Sequence, residues 1–238
     1  MPFDVGFVVF PRLTLLDLAG PYEVFGRVPE ARLHLIARDR RPVRSEHGLT
    51  IEPTAIFAEA PALDLLCAPG GPGVNAALDD EATLDFLAQA GAGARYVTSV
   101  CTGSLLLGAA GLLVGKRAAC HWASRQFLTM LGAIPVAERV VVDGATITGG
   151  GVTAGIDFAL RAVAEIFGEP TAQGIQLMME YAPAPPFESG TPETAPAPVL
   201  EAVRDRLRAQ QADREERLAR LAAHRKIVPH ERGAAGLE

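Results

Sequence analysis

Apolar and polar positions follow two rhythms along the chain. Apolar runs of strand length stand at Val5 to Phe10 and Leu63 to Ala68, Tyr96 to Val100 is a β-branched strand, and Leu33 to Ala37 and Thr50 to Glu52 read as further strands. Between them the spacing becomes helical. Glu81 to Ala90 places Leu84, Phe86 and Leu87 on one side before Gly91, and Thr102 to Ala110 carries Leu105 and Leu106 before Gly111. Thr153 to Phe167 predicts a helix closed by Gly168, and Pro170 starts another through Met179. Pro21 suits a first helical turn, so a short helix is expected to open there and end near Gly26. Asp143-Gly144, between Val140 to Val142 and Ala145 to Thr148, is a hairpin signal. Strands of the buried type that alternate with helices predict an α/β fold: a mostly parallel sheet with helices on both faces.

The pattern changes after residue 182. Six prolines fall between Pro183 and Pro198, which reads as an extended surface connector. Beyond it, Val199, Val203, Leu207, Leu218 and Leu221 lie loosely on one side of a charged helix. That helix is expected to pack on its own domain or on a partner subunit. The organisation is thus an α/β domain at 1–182, a Pro-rich connector at 183–198, and a C-terminal charged helix and tail at 199–238, frayed over 227–238.

Composition narrows the class. Hydrophobic residues make up 49% of the 238, which fits a globular chain, and no apolar run is long enough to span a bilayer. The first residues lack the pattern of a signal peptide, so a cytoplasmic protein is expected. The formal net charge is −6, which gives no global basic field for nucleic acid. Residues 201–238 are net +2, a mild asymmetry that fits a solvated helix better than a binding tail. The three cysteines, Cys67, Cys101 and Cys120, are odd in number and lack metal-ligand spacing, which argues against a disulfide scaffold and a zinc site. Cys67 and Cys120 read as small buried hydrophobes.

The strongest chemical signal is Ser99-Val100-Cys101-Thr102-Gly103. It follows a strand and opens a helix, and small residues stand two positions either side of the cysteine. That is what a sharp cysteine nucleophile elbow requires. The helix start also favours an anion, so the Cys101 thiol is expected to ionise more easily than a free one. Pro69-Gly70-Gly71 ends another strand, and its amides suit an anion hole beside the thiolate; the plainer reading is a βα turn. Asp17 reads from position alone as a helix cap rather than a functional acid. Thr102 either donates a hydrogen bond near the sulfur or caps its helix, and His121 reads as a packed residue. Gly149-Gly150-Gly151 stands before a helix starting near Val152 or Thr153, and points to close backbone approach or to movement. Its spacing matches no dinucleotide or phosphate loop, so no cofactor is expected.

Taken together, Asp17-Leu18-Ala19-Gly20-Pro21, Pro69-Gly70-Gly71, Val100-Cys101-Thr102-Gly103 and His121-Trp122 resemble the glutamine amidotransferase-like superfamily of intracellular proteases, deglycases and chaperone-like proteins. The resemblance spans about residues 4–182. Arg95 to Leu107, Gly149 to Ala159 and Glu180 to Phe187 are similar to its isonitrile hydratase branch in particular. The resemblance implies a flavodoxin-like fold, a homodimer, Cys101 as nucleophile, and Asp17 as catalytic acid rather than cap. It implies hydration of a small isonitrile to an N-substituted formamide without metal or cofactor, through a covalent thioimidate on Cys101. Thr102, Gly70 and Gly71 would orient the substrate. His121 matches a family histidine near the cysteine, in a binding part and not as the base. The segment Gly150, Gly151 and Val152 would begin a helix that shifts when Cys101 is modified. Protease-like members carry a histidine after the nucleophile where this chain has Thr102, and deglycase-like members a glutamate where it has Asp17. The alternatives are a glyoxalase or deglycase, a redox-sensing stress protein using Cys101, or a regulator-like ligand-binding domain. The last lacks a paired helix-turn-helix reading module in this sequence.

Overall fold

The structure is a computed structural model and describes residues 2–225 and 227. Its centre is a seven-stranded sheet. In chain order the strands are β1 (Phe3–Val8), β2 (Ala31–Ala37), β3 (Ala55–Ile56), β4 (Leu65–Ala68), β5 (Tyr96–Val100), β6 (Val140–Asp143) and β7 (Thr146–Gly149). Their spatial order is β6-β7-β5-β4-β1-β2-β3. All pairs are parallel except the β6–β7 hairpin. Every residue of β1, β4 and β7 is buried, Asp4 of β1 included, so these strands do not alternate between buried and exposed positions.

The helices are α1 (Leu15–Phe25), α2 (Val74–Ala77), α3 (Glu81–Gly93), α4 (Gly103–Ala109), α5 (Ala154–Phe167), α6 (Glu169–Met178) and α7 (Ala197–Arg225). α1 packs with α5, and α5 with α6, while α4 gathers α2, α3 and α7 around it. Aromatic contacts fasten the sheet to its cover: Phe7 of β1 meets Tyr22 and Phe25 of α1, and Phe3 meets Phe167 of α5 edge-on at 5.1 Å. The expected α/β architecture, a flavodoxin-like and mostly parallel sheet with helices on both faces, is the one observed.

Several expectations shift. α1 begins at Leu15, not at Pro21, which sits inside the helix and is buried. Its missing N–H removes the helical hydrogen bond that would end on the Asp17 carbonyl. Thr50–Ile51 is a strand, but it pairs antiparallel with Val43–Arg44 outside the main sheet. Arg117–Ala118 forms a second small ribbon with Ile134–Pro135, also outside the main sheet. α5 starts at Ala154, past the expected Val152 or Thr153.

α7 lies on the body of its own chain. Leu218 and Leu221 join the common hydrophobic core, whereas Val199 and Val203 at its start are exposed. The apolar side expected along the whole helix is therefore buried only in its second half. The tail expected to fray over 227–238 lies outside the described residues apart from Ile227. No helix among the described residues is long and apolar enough to cross a membrane.

Candidate active site

Cys101 follows β5 directly and adopts φ +58°, a left-handed conformation that costs energy for any side chain but glycine's. The neighbouring structure holds it there. Its amide donates to the carbonyls of Gly150 at 2.7 Å and Gly149 at 3.1 Å, so the end of β7 pins the elbow from one side. Gly103 makes the turn possible, because a Cβ there would overlap the Ala68 carbonyl oxygen. Ser99 and Ser104 Oγ lie 2.8 Å apart across the turn, and Ser104 Oγ donates to Ala119 O at 2.6 Å. The small residues of the motif thus serve the close approach of β4, β5 and α4. The side chain emerges at the carboxyl end of the sheet's central strands, where open α/β sheets carry their sites.

Asp17 reaches the same point from the first turn of α1. It is fully buried, with Oδ2 accepting the Gly70 amide at 2.9 Å. It is not the helix cap that position alone suggested, since Thr14 occupies that place. Asp17 Oδ1 is the single fully buried side-chain oxygen or nitrogen without a geometric hydrogen-bond partner among the described residues. Burial pushes the Asp17 carboxyl up to about 7, opposed by the Gly70 amide and the Cys101 thiol and reinforced by the negative charge of Glu46.

The Cys101 thiol moves the opposite way from expectation. Burial first, then the charges of Asp17 and Cys120, raise it well above its ordinary value, with the Thr102 amide favouring the thiolate. α4 has seven residues and opens inside the core, so its start does not offset the lost hydration. Asp17 therefore ionises before Cys101 does, and the resting pair is a thiol beside a carboxylate. Cys67 and Cys120 are buried, free and pushed up to about 12 by desolvation, consistent with their reading as small core residues.

The other predicted positions converge on this point with altered parts. The Gly70 amide is committed to Asp17, and the Gly71 amide donates to Thr102 Oγ1 at 2.9 Å. Neither is free to form the anion hole expected of them; the available amide beside the sulfur is that of Thr102. A Cβ on Gly70 would stand 2.5 Å from Thr102 N and 2.9 Å from Asp17 Oδ2, so this glycine permits the close approach of two functional loops. The Thr102 hydroxyl makes no capping bond and is tied to Gly71 instead. His121 Nδ1 accepts from the Ala123 amide at 3.3 Å, and burial, aided by the positive charge of Arg214, holds its ring down at about 4. A neutral imidazole at physiological pH is suited to contact, not to holding a proton.

Cys101, Thr102, Gly71, His121 and Val152 line one cavity of about 190 Å³. A larger cavity of about 430 Å³ near Arg38 and Arg41 is lined by no cysteine. The cavity at Cys101 also has walls that sequence reasoning missed. Glu46 enters from the loop between Val43–Arg44 and Thr50–Ile51, its amide bonded to Leu13 O at 2.9 Å. Leu207, Gln210, Gln211 and Arg214 come from α7. No local motif marks Glu46. Arg214 lies among so many charged residues that only its fold neighbours distinguish it. Gly150 and Gly151 have ordinary φ, and a Cβ on either would meet nothing closer than 3.5 Å.

The DJ-1/PfpI family matches residues 4–165. The chain belongs to this family. Among DJ-1/PfpI relatives, a Pseudomonas putida protein named isonitrile hydratase is 55% identical over 206 residues, covering 87% of this chain and 90% of its own length. A THiJ/PfpI family protein from Pseudomonas syringae superposes with a TM-score of 0.90 at 45% identity, over 92% of this chain and 91% of its own. The Pseudomonas aeruginosa HTH-type transcriptional regulator GbdR is 31% identical over 190 residues, but only 51% of the regulator is matched. The resemblance drawn from the motifs is thus borne out at the level of family.

Proposed function

We propose that this chain hydrates isonitriles to N-substituted formamides, with Cys101 as nucleophile and Asp17 as proton carrier. The observation that carries the reading is the buried Cys101–Asp17 pair, in a chain 55% identical to the Pseudomonas putida protein named isonitrile hydratase. The terminal carbon of an isonitrile accepts both a nucleophile and a proton. Asp17, ionised first, takes the thiol proton as the sulfur attacks, and the carbon–sulfur bond forms as Asp17 delivers that proton to the same carbon. The product is a thioimidate that contains every atom of the substrate. Water, deprotonated by Asp17, then adds to the thioimidate carbon while the nitrogen gains a proton. The carbon–sulfur bond breaks, the carbonyl forms, and the sulfur recovers its proton as the formamide leaves. Each turnover consumes one water and returns the thiol, so the cycle balances without metal or cofactor.

The remaining residues support this course. The Thr102 amide steadies charge on the sulfur. Gly70 orients Asp17, the Thr102 hydroxyl fixes Gly71, and neutral His121 contacts the substrate. A cavity of about 190 Å³ is small beside pockets for drug-sized ligands and fits a compact isonitrile better than a peptide. Burial and the raised pKa of Cys101 weigh against a redox sensor, which needs an accessible thiolate. A cytoplasmic homodimer that binds neither nucleic acid nor membrane belongs to the same reading. Incubating purified protein with an alkyl and an aryl isonitrile, beside glyoxals, tests it: formamide from the isonitriles is expected, and turnover of glyoxals alone would reassign the site.

A further inference from the structure

We propose that Arg214 of α7 is the counter-cation of the Cys101–Asp17 pair, an electrostatic positioning residue that makes the C-terminal helix part of the active site. This inference rests on the reading of Cys101 as a nucleophile.

Arg214 is only 2% exposed and lines the cavity that holds Cys101. Its Nε donates to Asn75 Oδ1 at 2.7 Å and its Nη1 to Ser124 Oγ at 2.6 Å. Both acceptors are neutral. Among the described residues no carboxylate lies in ion-pair distance of it, whereas Arg217, one turn on, pairs with Asp79 and Asp213. Asp213, adjacent in sequence, is taken by Arg217 and by the Asn75 amide, which donates to its Oδ2 at 2.7 Å. A buried guanidinium with only neutral partners bears a desolvation penalty that hydrogen bonds alone do not offset. Its position therefore calls for a negative charge in the cavity it faces.

That charge is present once the pair loses its first proton, whether it resides on Asp17 or on the sulfur. Burial pulls Arg214 down, and the charges of Cys120, Cys101 and Asp213 work against that pull. Coulombic attraction is mutual, so whatever an anion at Cys101 does for Arg214, Arg214 does for that anion. The other groups facing the pair do not supply the cation. Glu46 is acidic, His121 is held neutral, Cys67 and Cys120 are thiols, and Arg125 acts on Cys120. The clamp has a second function in placement. Asn75 also donates to Gln210 O at 3.1 Å, and Ser124 Oγ donates to Gln211 Oε1 at 3.1 Å, so the residues that grip Arg214 also fix α7 over the site.

The test is the pH dependence of Cys101 alkylation by iodoacetamide, a neutral reagent, read by peptide mass in the full chain. Arg214→Met is expected to raise the half-point by about one pH unit and to slow alkylation about tenfold at neutral pH. Arg214→Lys, which keeps the charge, is expected to recover most of that shift, and Asn75→Ala, which loosens the clamp alone, to show less of it. Circular dichroism and thermal melts establish that the variants are folded. A folded Arg214→Met protein with the wild-type half-point overturns the proposal, as does Arg214→Lys shifted as far as Arg214→Met. Should Arg214→Met not fold, equal half-points in Arg214→Lys and Arg214→Gln overturn it. Alkylation needs no isonitrile, so inertness toward isonitriles with the expected shifts would sink the hydratase reading and leave this one standing.

Discussion

Asp17 and Gly70 meet across 53 residues of sequence, the Gly70 amide donating to Asp17 Oδ2 at 2.9 Å. The bond settles which oxygen is anchored and leaves Oδ1 without a hydrogen-bond partner among the described residues. It does not compensate for burial, which holds the carboxyl near 7. The folded protein therefore binds a proton at Asp17 more tightly than the unfolded chain does. Between about pH 4 and pH 7 the unfolded carboxyl is ionised while the folded one is protonated, so this contribution to stability is full below pH 4 and is lost as pH rises through 7. Asp17→Asn removes the titration. Denaturant melts at pH 5 and pH 8 should show the variant gaining on wild type at the higher pH, by on the order of a few kcal/mol. Its hydration rate should fall by roughly 10²–10⁴. An unchanged stability difference between the two pH values would remove Asp17 as a titrating group.

Thr102 Oγ1 is the acceptor for the buried Gly71 amide. Thr102→Val keeps the shape and leaves that amide unsatisfied, at a cost of about 1–3 kcal/mol. Thr102→Ser keeps the hydroxyl and should lose less than half as much. Because Gly71 borders the cavity, the valine variant should also lose activity, measured as kcat/KM beside its melting curve. Equal stability of the two variants would deny the hydroxyl this function.

The parts legible in the sequence were those where local geometry dictates residue type. Cys101 was legible because the elbow demands Ser99 and Gly103 around it, and the buried parallel strands because most of their positions must be small or apolar. The β6–β7 hairpin was announced by Gly144, which takes φ +60°. What was hidden depends on contacts between distant segments. Pro21 suggested a helix start, because its tolerance inside α1 is decided by packing against Gly155 of α5, whose added Cβ would meet the proline ring at 3.2 Å. The free amides expected of Gly70 and Gly71 were already occupied by Asp17 and Thr102 from other loops. Arg214 looked like one more charge on a solvated helix, since nothing within α7 marks it as buried.

The proposed thioimidate contains the whole substrate, because sulfur and proton both add to the isonitrile carbon. Rapid quenching of a slow aryl isonitrile should therefore reveal a protein heavier by the full substrate mass, located on the peptide bearing Cys101. Cys101→Ala should show neither the adduct nor turnover. Full turnover by that variant would end the covalent mechanism.

The Cys101 amide bonds the carbonyls of Gly149 and Gly150, which lead directly into α5. Any change of the Cys101 side chain that moves its backbone is thus transmitted to the segment Gly150, Gly151 and Val152. Crystal structures of free protein and of protein alkylated at Cys101 should differ at the start of α5. Superimposable helices in the two forms would count against a mobile segment there.

Glu46 lines the cavity and its charge raises the Asp17 carboxyl, though burial contributes more. In the proposed cycle the active form is the singly protonated pair, thiol beside carboxylate, so kcat/KM should climb with pH through about 7. Glu46→Gln removes a like charge and makes ionised Asp17 easier to form. The climbing limb should move to lower pH by a few tenths of a unit to about one unit, with the plateau nearly unchanged. The sign is the decisive point. If Asp17 had to be protonated in the free enzyme, the same substitution would move a falling limb instead, and activity at pH 7 would drop. Profiles of wild type and Glu46→Gln measured on one isonitrile from pH 5 to pH 9 separate the two protonation states.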